Sequence, residues 1–187
     1  MNDRKQNLLS IVDIIANLVR TIQLRRTLHA VSPKPPLVFW RVIYGNLTDV
    51  AVLEWCKLFG SDDGQNQPVH WKNIASDPNR FRKDLFSHLG IYESKWRSYW
   101  AEMKRYRDLS VAHHDLRRVE IKNYPTFDLA LESAFFYYDF VVSELSKHRI
   151  DQQPKDLGAY ARDFGAQCDG IARAAIEATA SFKERVY

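Results

Sequence analysis

One run of side chains in this 187-residue sequence has types and spacing that can do chemistry: Tyr106-Arg107-Asp108-Leu109-Ser110-Val111-Ala112-His113-His114-Asp115. Arg107 follows Trp96 by eleven residues. At about 100° per residue it returns to within roughly 20° of that tryptophan. It therefore points along the apolar stripe Trp96–Trp100–Met103 and away from the solvated side of the same helix. A guanidinium on such a stripe is costly unless it is paired, or faces a polar cleft or an interface. Two uses are open to it. It can snorkel from the end of the bundle or pair with a carboxylate such as Asp49 or Asp139, or its fork of donors can bind a phosphate. On geometry alone the structural use comes first.

The charge pattern bears on that choice. The chain holds 27 Lys and Arg against 23 Asp and Glu, for a net of +4. Between His70 and Glu120 there are 11 basic and 7 acidic residues, so this segment carries the whole excess and the remainder is neutral. It also carries four of the six histidines, His70, His88, His113 and His114. A basic, histidine-bearing segment can attract phosphate; the plain alternative is an arginine-rich, solvated helix face.

Other chemistries fail for want of parts. No GxxxxGK[ST], GxGxxG, GxSxG or HExxH string is present. Asp62-Asp63-Gly64 lacks the alternating ligands and distal glutamate of a calcium loop. His113, His114 and Asp115 are consecutive and converge poorly on one ion, so neither a metal nor a cofactor is expected. Ser110 has no third group placed to orient a base. Adjacent histidines near a helix end also serve as caps and dipole partners. Cys56 and Cys168 lie far apart, which excludes a zinc ribbon and a disulfide framework and suits the reducing cytoplasm.

The elements that must position these residues are helical. Leu8, Ile11, Val12, Ile15, Leu18, Val19 and Ile22 form one stripe over Leu8–Leu28. Pro33, Pro35 and Pro36 end that helix. A second, over Leu37–Phe59, is expected to turn Phe39, Trp40, Ile43, Leu47, Val50, Leu53 and Leu58 mostly inward. Gly60–Pro68 reads as a loop, His70–Ala75 as a short helix, and Asp77-Pro78 as the capped start of a helix ended by Gly90. A long helix starts near Tyr92. Another spans Thr126–Lys147, and an Ala-rich one lies within Lys155–Glu184 with Tyr160, Phe164, Cys168, Ile171 and Ile176 aligned. Trp71, Trp96, Tyr99 and Trp100 could stack on nucleic-acid bases, but they have the spacing of core aromatics and are assigned to the core. Strand-like alternation is absent. The expected fold is an all-α bundle of about six helices in one domain. Asp13 and Asn17 interrupt the first apolar stretch, and about 18 uncharged apolar residues in a row occur nowhere, so neither an export signal nor a spanning helix is expected.

The string YRDLSVAHHD at Tyr106–Asp115 resembles the Arg-x(4–6)-His motif of HEPN domains, and is most similar to the AbiU2-like, abortive-infection branch of that superfamily. FWRVIYGNLTDVAVLEWCKLFG at Phe39–Gly60, HWKNI at His70–Ile74 and FFYYDFVVSEL at Phe135–Leu145 resemble the same branch. The likeness covers roughly residues 37–148, with a first helix over 5–31 and the Ala-rich helix over 155–184 packed on that part.

The resemblance implies a HEPN-like bundle and a metal-independent endoribonuclease, a toxin or phage-defence effector, acting as a homodimer. Arg107 and His113 of each subunit would meet across the interface. Attack of a ribose 2′-OH on the adjacent phosphate needs a group that exchanges protons near neutrality, which imidazole does. The phosphorane needs a fixed cation, which arginine supplies. Asp108 would hold Arg107 or orient a histidine; alternatively it forms an i,i+4 surface pair with Lys104. His114 and Asp115 support the site. Arg80, Arg82, Lys83, Arg105, Arg117 and Arg118 are candidates for phosphate contacts with RNA, and equally for plain solvated surface. An antitoxin protein is a further expected partner, and a non-catalytic nucleotide-binding or protein-interaction module is the alternative function.

Geometry adds a difficulty. Six residues turn a straight α-helix by about 240° net, so Arg107 and His113 would diverge, whereas His114 would share the arginine's face. Either the helix is irregular near Leu109–Val111, or the pair forms between subunits, or His114 takes part.

Overall fold

The computed structural model describes residues 3–62, 64–112, 124–152 and 154–184, with residues 110–112 as backbone only. The apolar stripe of the first helix, α1 (Asp3–Val31), organises the rest. Leu8, Ile11, Ile15, Leu18, Val19 and Ile22 are each 0% exposed, covered by α2 (Val38–Phe59), α6 (Asp128–Lys147) and α7 (Leu157–Thr179). By length and composition α1 is apolar enough to cross a membrane, with an 18-residue window of mean hydropathy 1.3. Asp13, inside this stretch, keeps it from being an uncharged run. In this fold the stripe is spent on the three neighbouring helices.

Seven α-helices and no strands occur among the described residues, so the protein is an all-α bundle. The single turn α3 (Trp71–Ile74) is the short helix expected over His70–Ala75. Its neighbour α4 (Pro78–Leu89) begins as expected. The Asp77 carboxylate accepts from the Asn79 and Arg80 amides, Pro78 takes the first turn, and Gly90 at φ +61° closes the helix in the left-handed conformation. α5 (Glu93–Tyr106) follows after three residues and presents Trp96, Tyr99, Met103 and Tyr106 to the core.

Two expected faces are corrected. On α2 the core side is Thr48, Ala51, Val52, Trp55 and Phe59; Phe39 and Val50 are exposed, and Trp40, Ile43, Leu47 and Leu53 are half-buried. α2 is apolar nearly all round, so periodicity cannot choose its inner side. Polar partners on α1 choose it instead, with Arg25 Nε donating to Thr48 Oγ1 at 2.8 Å and Asn17 Nδ2 to Glu54 Oε1 at 2.9 Å. On α7, Ile171 is 71% exposed, while Leu157, Ala161 and Ala172 pack inward. Small residues let α7 lie close to α1, and the larger Ile171 is left outside.

The chain beyond α7 closes the bundle at the start of α2. The Val38 and Phe39 amides, unpartnered in their own helix, donate to the Glu184 carboxylate, and Trp40 Nε1 donates to Thr179 Oγ1 at 2.9 Å.

Trp55 joins the halves. It is 0% exposed and lies 5.5 Å from Phe59, 5.7 Å from Trp96 and 5.4 Å from Tyr99, ring centre to ring centre, with its indole N–H donating to Ser133 Oγ at 3.1 Å. Aromatic contacts of this kind add to burial. Trp55→Ala is predicted to lower unfolding free energy by about 3–5 kcal/mol in urea denaturation, whereas Phe39→Ala on the exposed face of the same helix shifts it by less than about 0.5 kcal/mol.

Candidate functional site

Arg107 opens a π-helical stretch, Arg107–Ala112, that continues α5 and packs against α2. The helix is therefore irregular across Leu109–Val111, the span where straight-helix geometry ran into difficulty. A π turn closes onto the fifth residue ahead instead of the fourth, so Arg107 stacks over residue 112 rather than 111. Such turns are uncommon and concentrate at functional sites. His113, His114, Asp115, Arg117 and Arg118 lie outside the described residues.

The Arg107 side chain is 20% exposed. Its Nε and Nη2 both reach one oxygen of Asp108, at 2.8 and 2.6 Å, and that carboxylate is 47% exposed. The interior carboxylates that sequence offered as partners do not hold it. Asp49 instead accepts from the Tyr106 hydroxyl at 2.7 Å, and no Arg107–Asp139 pair forms. Nor does Asp108 pair with Lys104, whose ammonium sits 4.6 Å above the Trp100 ring. Cys56 of α2 lies within the electrostatic reach of Arg107. Burial pushes that thiol up to about 12, and the Arg107 cation is the strongest influence in the opposite direction. The guanidinium is thus set on an apolar floor and latched by one oxygen of a neighbour that itself faces solvent.

The other candidate phosphate contacts divide. Arg80 is exposed beside Asp84 at 3.6 Å, and Lys83 and Arg105 are exposed as well. Arg82 faces an open cleft of about 450 Å³ between the end of α2, the loop to α3, α4 and α5. Phe59, Trp71, Phe86, Trp96 and Trp100 form its aromatic lining, with Lys72, Arg82 and Arg97 as its cations and Asp62 and Glu93 as its acids. Of the aromatics assigned to the core, Trp71, Trp96 and Tyr99 are buried there, but Trp100 is half-buried and walls this cleft. Its indole N–H donates to the Phe59 and Gly60 carbonyls at 2.8 and 3.2 Å, which answers part of the unmet carbonyl demand at the end of α2. Only glycine fits at Gly60, because a Cβ there would lie 2.4 Å from the Cys56 carbonyl oxygen.

His70 lies under the cleft and was given no role by sequence reasoning. It is 0% exposed. Its Nδ1 accepts from the Lys72 amide at 3.3 Å, capping α3, so the neutral ring carries its proton on Nε2. That Nε2 has no hydrogen-bond partner among the described residues. The Phe59 and Gly60 carbonyls, which also accept from Trp100, lie close enough to favour the ring's charged form without forming a good hydrogen bond to it. Around the rim, Lys72 holds Asp62 at 3.0 Å and Arg97 holds Glu93 at 2.7 Å, and each keeps its carboxyl below the ordinary carboxylate range. The available signal was the basic, histidine-bearing segment itself. What sequence lacked was the turn that folds His70 under α5.

Arg97, Trp100, Lys104 and Arg107 follow one another along α5 at helical spacing, so the cleft and Arg107 are two ends of one strip about 10 Å apart along the axis. No family model, curated protein or solved structure matches the chain.

Burial pushes the His70 imidazole down, so the folded state holds it neutral where the unfolded chain takes up a proton. Its contribution to stability is complete above about pH 6.5 and is lost as pH falls below that value. His70→Asn keeps a capping oxygen without the titration. Urea midpoints measured from pH 7 to pH 5 are predicted to fall less steeply in this variant than in wild type.

Proposed function

We propose that this protein is a HEPN-type, metal-independent endoribonuclease that works in the cytoplasm as a homodimer, as a toxin or phage-defence effector. The observation that carries the reading is Arg107: a cation four-fifths withdrawn from solvent, on an apolar floor, at the head of a π-helical turn, and held by one oxygen of a solvent-facing aspartate. A guanidinium needed only for packing finds its partners inside. This one keeps its charge at the surface end of a basic strip, where a phosphate can replace or share Asp108.

In this reaction the 2′-oxygen attacks the adjacent phosphorus and its proton passes to the His113 imidazole. The P–O5′ bond breaks, and the 5′-oxygen leaves with a proton returned by the histidine of the other subunit. The products are a 2′,3′-cyclic phosphate and a 5′-hydroxyl. Arg107 neutralises the equatorial oxygens as charge builds on them, and Asp108 keeps the guanidinium in place between turnovers. Neither Arg107 nor His113 needs a metal for these roles.

The test is cleavage of a mixed single-stranded RNA panel in EDTA by wild type, Arg107→Ala and His113→Ala. Wild type is expected to cut, and each variant to lose about a hundredfold or more in rate. Unchanged activity in both variants would overturn the site, loss of wild-type activity in EDTA would overturn the metal-free mechanism, and tight RNA binding without cutting would leave a non-catalytic module.

A further inference from the structure

We infer that the cleft between the end of α2, α4 and α5 is a nucleotide subsite: it takes one base and phosphate of a single-stranded RNA whose neighbouring residues run along α5 towards Arg107. The strand's identity as RNA rests on the ribonuclease reading above; the preference for a base carrying a phosphate rests on the cleft.

Three features select that ligand. The lining mixes polar groups with ring surface: the half-buried Phe86 and Trp100 face a space of about 450 Å³, backed by the buried Phe59 and Trp96. Aromatic walls of this kind accept any base, since every base has a π-face. The rim is cationic: Lys72, Arg82 and Arg97 outnumber Asp62 and Glu93. Their ion pairs are solvent-exposed, at 3.0 Å for Lys72–Asp62, 2.7 Å for Arg97–Glu93 and 4.0 Å for Arg82–Glu93. Exposed pairs of that kind are worth about 0–1 kcal/mol, so a phosphate can draw the cations away at small cost. Finally, the fully buried His70 imidazole lines the cleft with its Nε2–H near the Phe59 and Gly60 carbonyls but without a well-formed hydrogen bond among the described residues. A base edge can offer that N–H a better acceptor, as a carbonyl oxygen or a ring nitrogen. A simple anion has no use for the rings, and an apolar peptide has none for the cations.

The strip from the cleft to Arg107 gives the direction. Trp100 walls the cleft, Lys104 covers that indole at 4.6 Å, and Arg107 stands one turn further on. A strand anchored in the cleft meets Lys104 next and Arg107 after it, which places the scissile phosphate a short distance from the bound base.

The experiment titrates the full-length protein with adenosine 5′-monophosphate, inorganic phosphate and a 2′-O-methyl oligoribonucleotide that cannot be cut, following tryptophan fluorescence. Wild type, Arg82→Glu, Lys72→Ala and Arg107→Ala are compared, each with its circular dichroism and melting curve checked. The oligonucleotide is expected to quench fluorescence and to displace the mononucleotide, and inorganic phosphate to compete far more weakly than the mononucleotide. Arg82→Glu and Lys72→Ala, which sit on the exposed rim, are expected to weaken oligonucleotide binding about tenfold each and to flatten its salt dependence. Unchanged affinity in both rim variants would overturn the subsite. Phosphate competing as well as the mononucleotide would overturn the base pocket, and a mononucleotide that a saturating oligonucleotide cannot displace would overturn the strand. Rim variants that lose binding in a protein that cuts no RNA would uphold the subsite and sink the ribonuclease. A protein that cuts RNA with unaltered KM in both rim variants would do the reverse.

Discussion

The seam between α2 and α5 is the constraint on which the rest of the molecule depends. Trp55, Phe59, Trp96 and Tyr99 interlock across it with no exposed ring larger than Trp96 at 8%. With them packed, the end of α2 lies where its carbonyls meet the Trp100 indole, and the end of α5 lies near enough to Cys56 for Lys104 and Arg107 to act on its thiol. Both parts of the strip follow from that placement. The cleft is the space left where α2 stops at Gly60 and the chain turns under α5 through His70. Arg107 is the residue that α5 delivers to the far end of the same seam, just where its helix widens into the π turn.

Two arginines packed against α2 show how differently a cation can be treated. Arg25 is absorbed into the fold. It stands 4.6 Å over the Tyr44 ring and 5.0 Å over the Phe127 ring and donates to Thr48, and burial lowers its pKa. One of its donors is taken by the bundle, and two rings lie within cation–π distance of its guanidinium. Arg107 is half-buried as well, and its partner among the described residues is Asp108 alone. A fold that needed the second cation for stability would satisfy it as it satisfies the first. The difference is the physical basis for assigning Arg107 to a ligand.

Much of the architecture was legible before any coordinates. Asp77-Pro78 and Gly90 carried their own start and stop chemistry, and the stripe of α1 left one solution for its buried side. The anomaly of Arg107 was also visible, because eleven residues after Trp96 is a matter of helical arithmetic. The inner face of α2 was not, since a helix apolar on most sides has no unique stripe, and the choice was made by Arg25 and Asn17 on another helix. Ile171 failed for a related reason: alanines, not the large residue, set how closely α7 approaches α1. The cleft was hidden because its members come from four separate segments, and His70 becomes notable only when its second nitrogen is found without a partner.

The central claim is that the fold tolerates Arg107 and the function requires it. Replacing a partly buried, thinly partnered cation by an apolar side chain of similar length is commonly neutral or stabilising, whereas removing a fully engaged one costs stability. Equilibrium urea unfolding of Arg107→Met beside Arg25→Met tests this directly. The account predicts a midpoint for Arg107→Met at or above wild type and a loss of about 1–3 kcal/mol for Arg25→Met. A loss in Arg107→Met as large as that in Arg25→Met would make the arginine a structural residue and contradict the account.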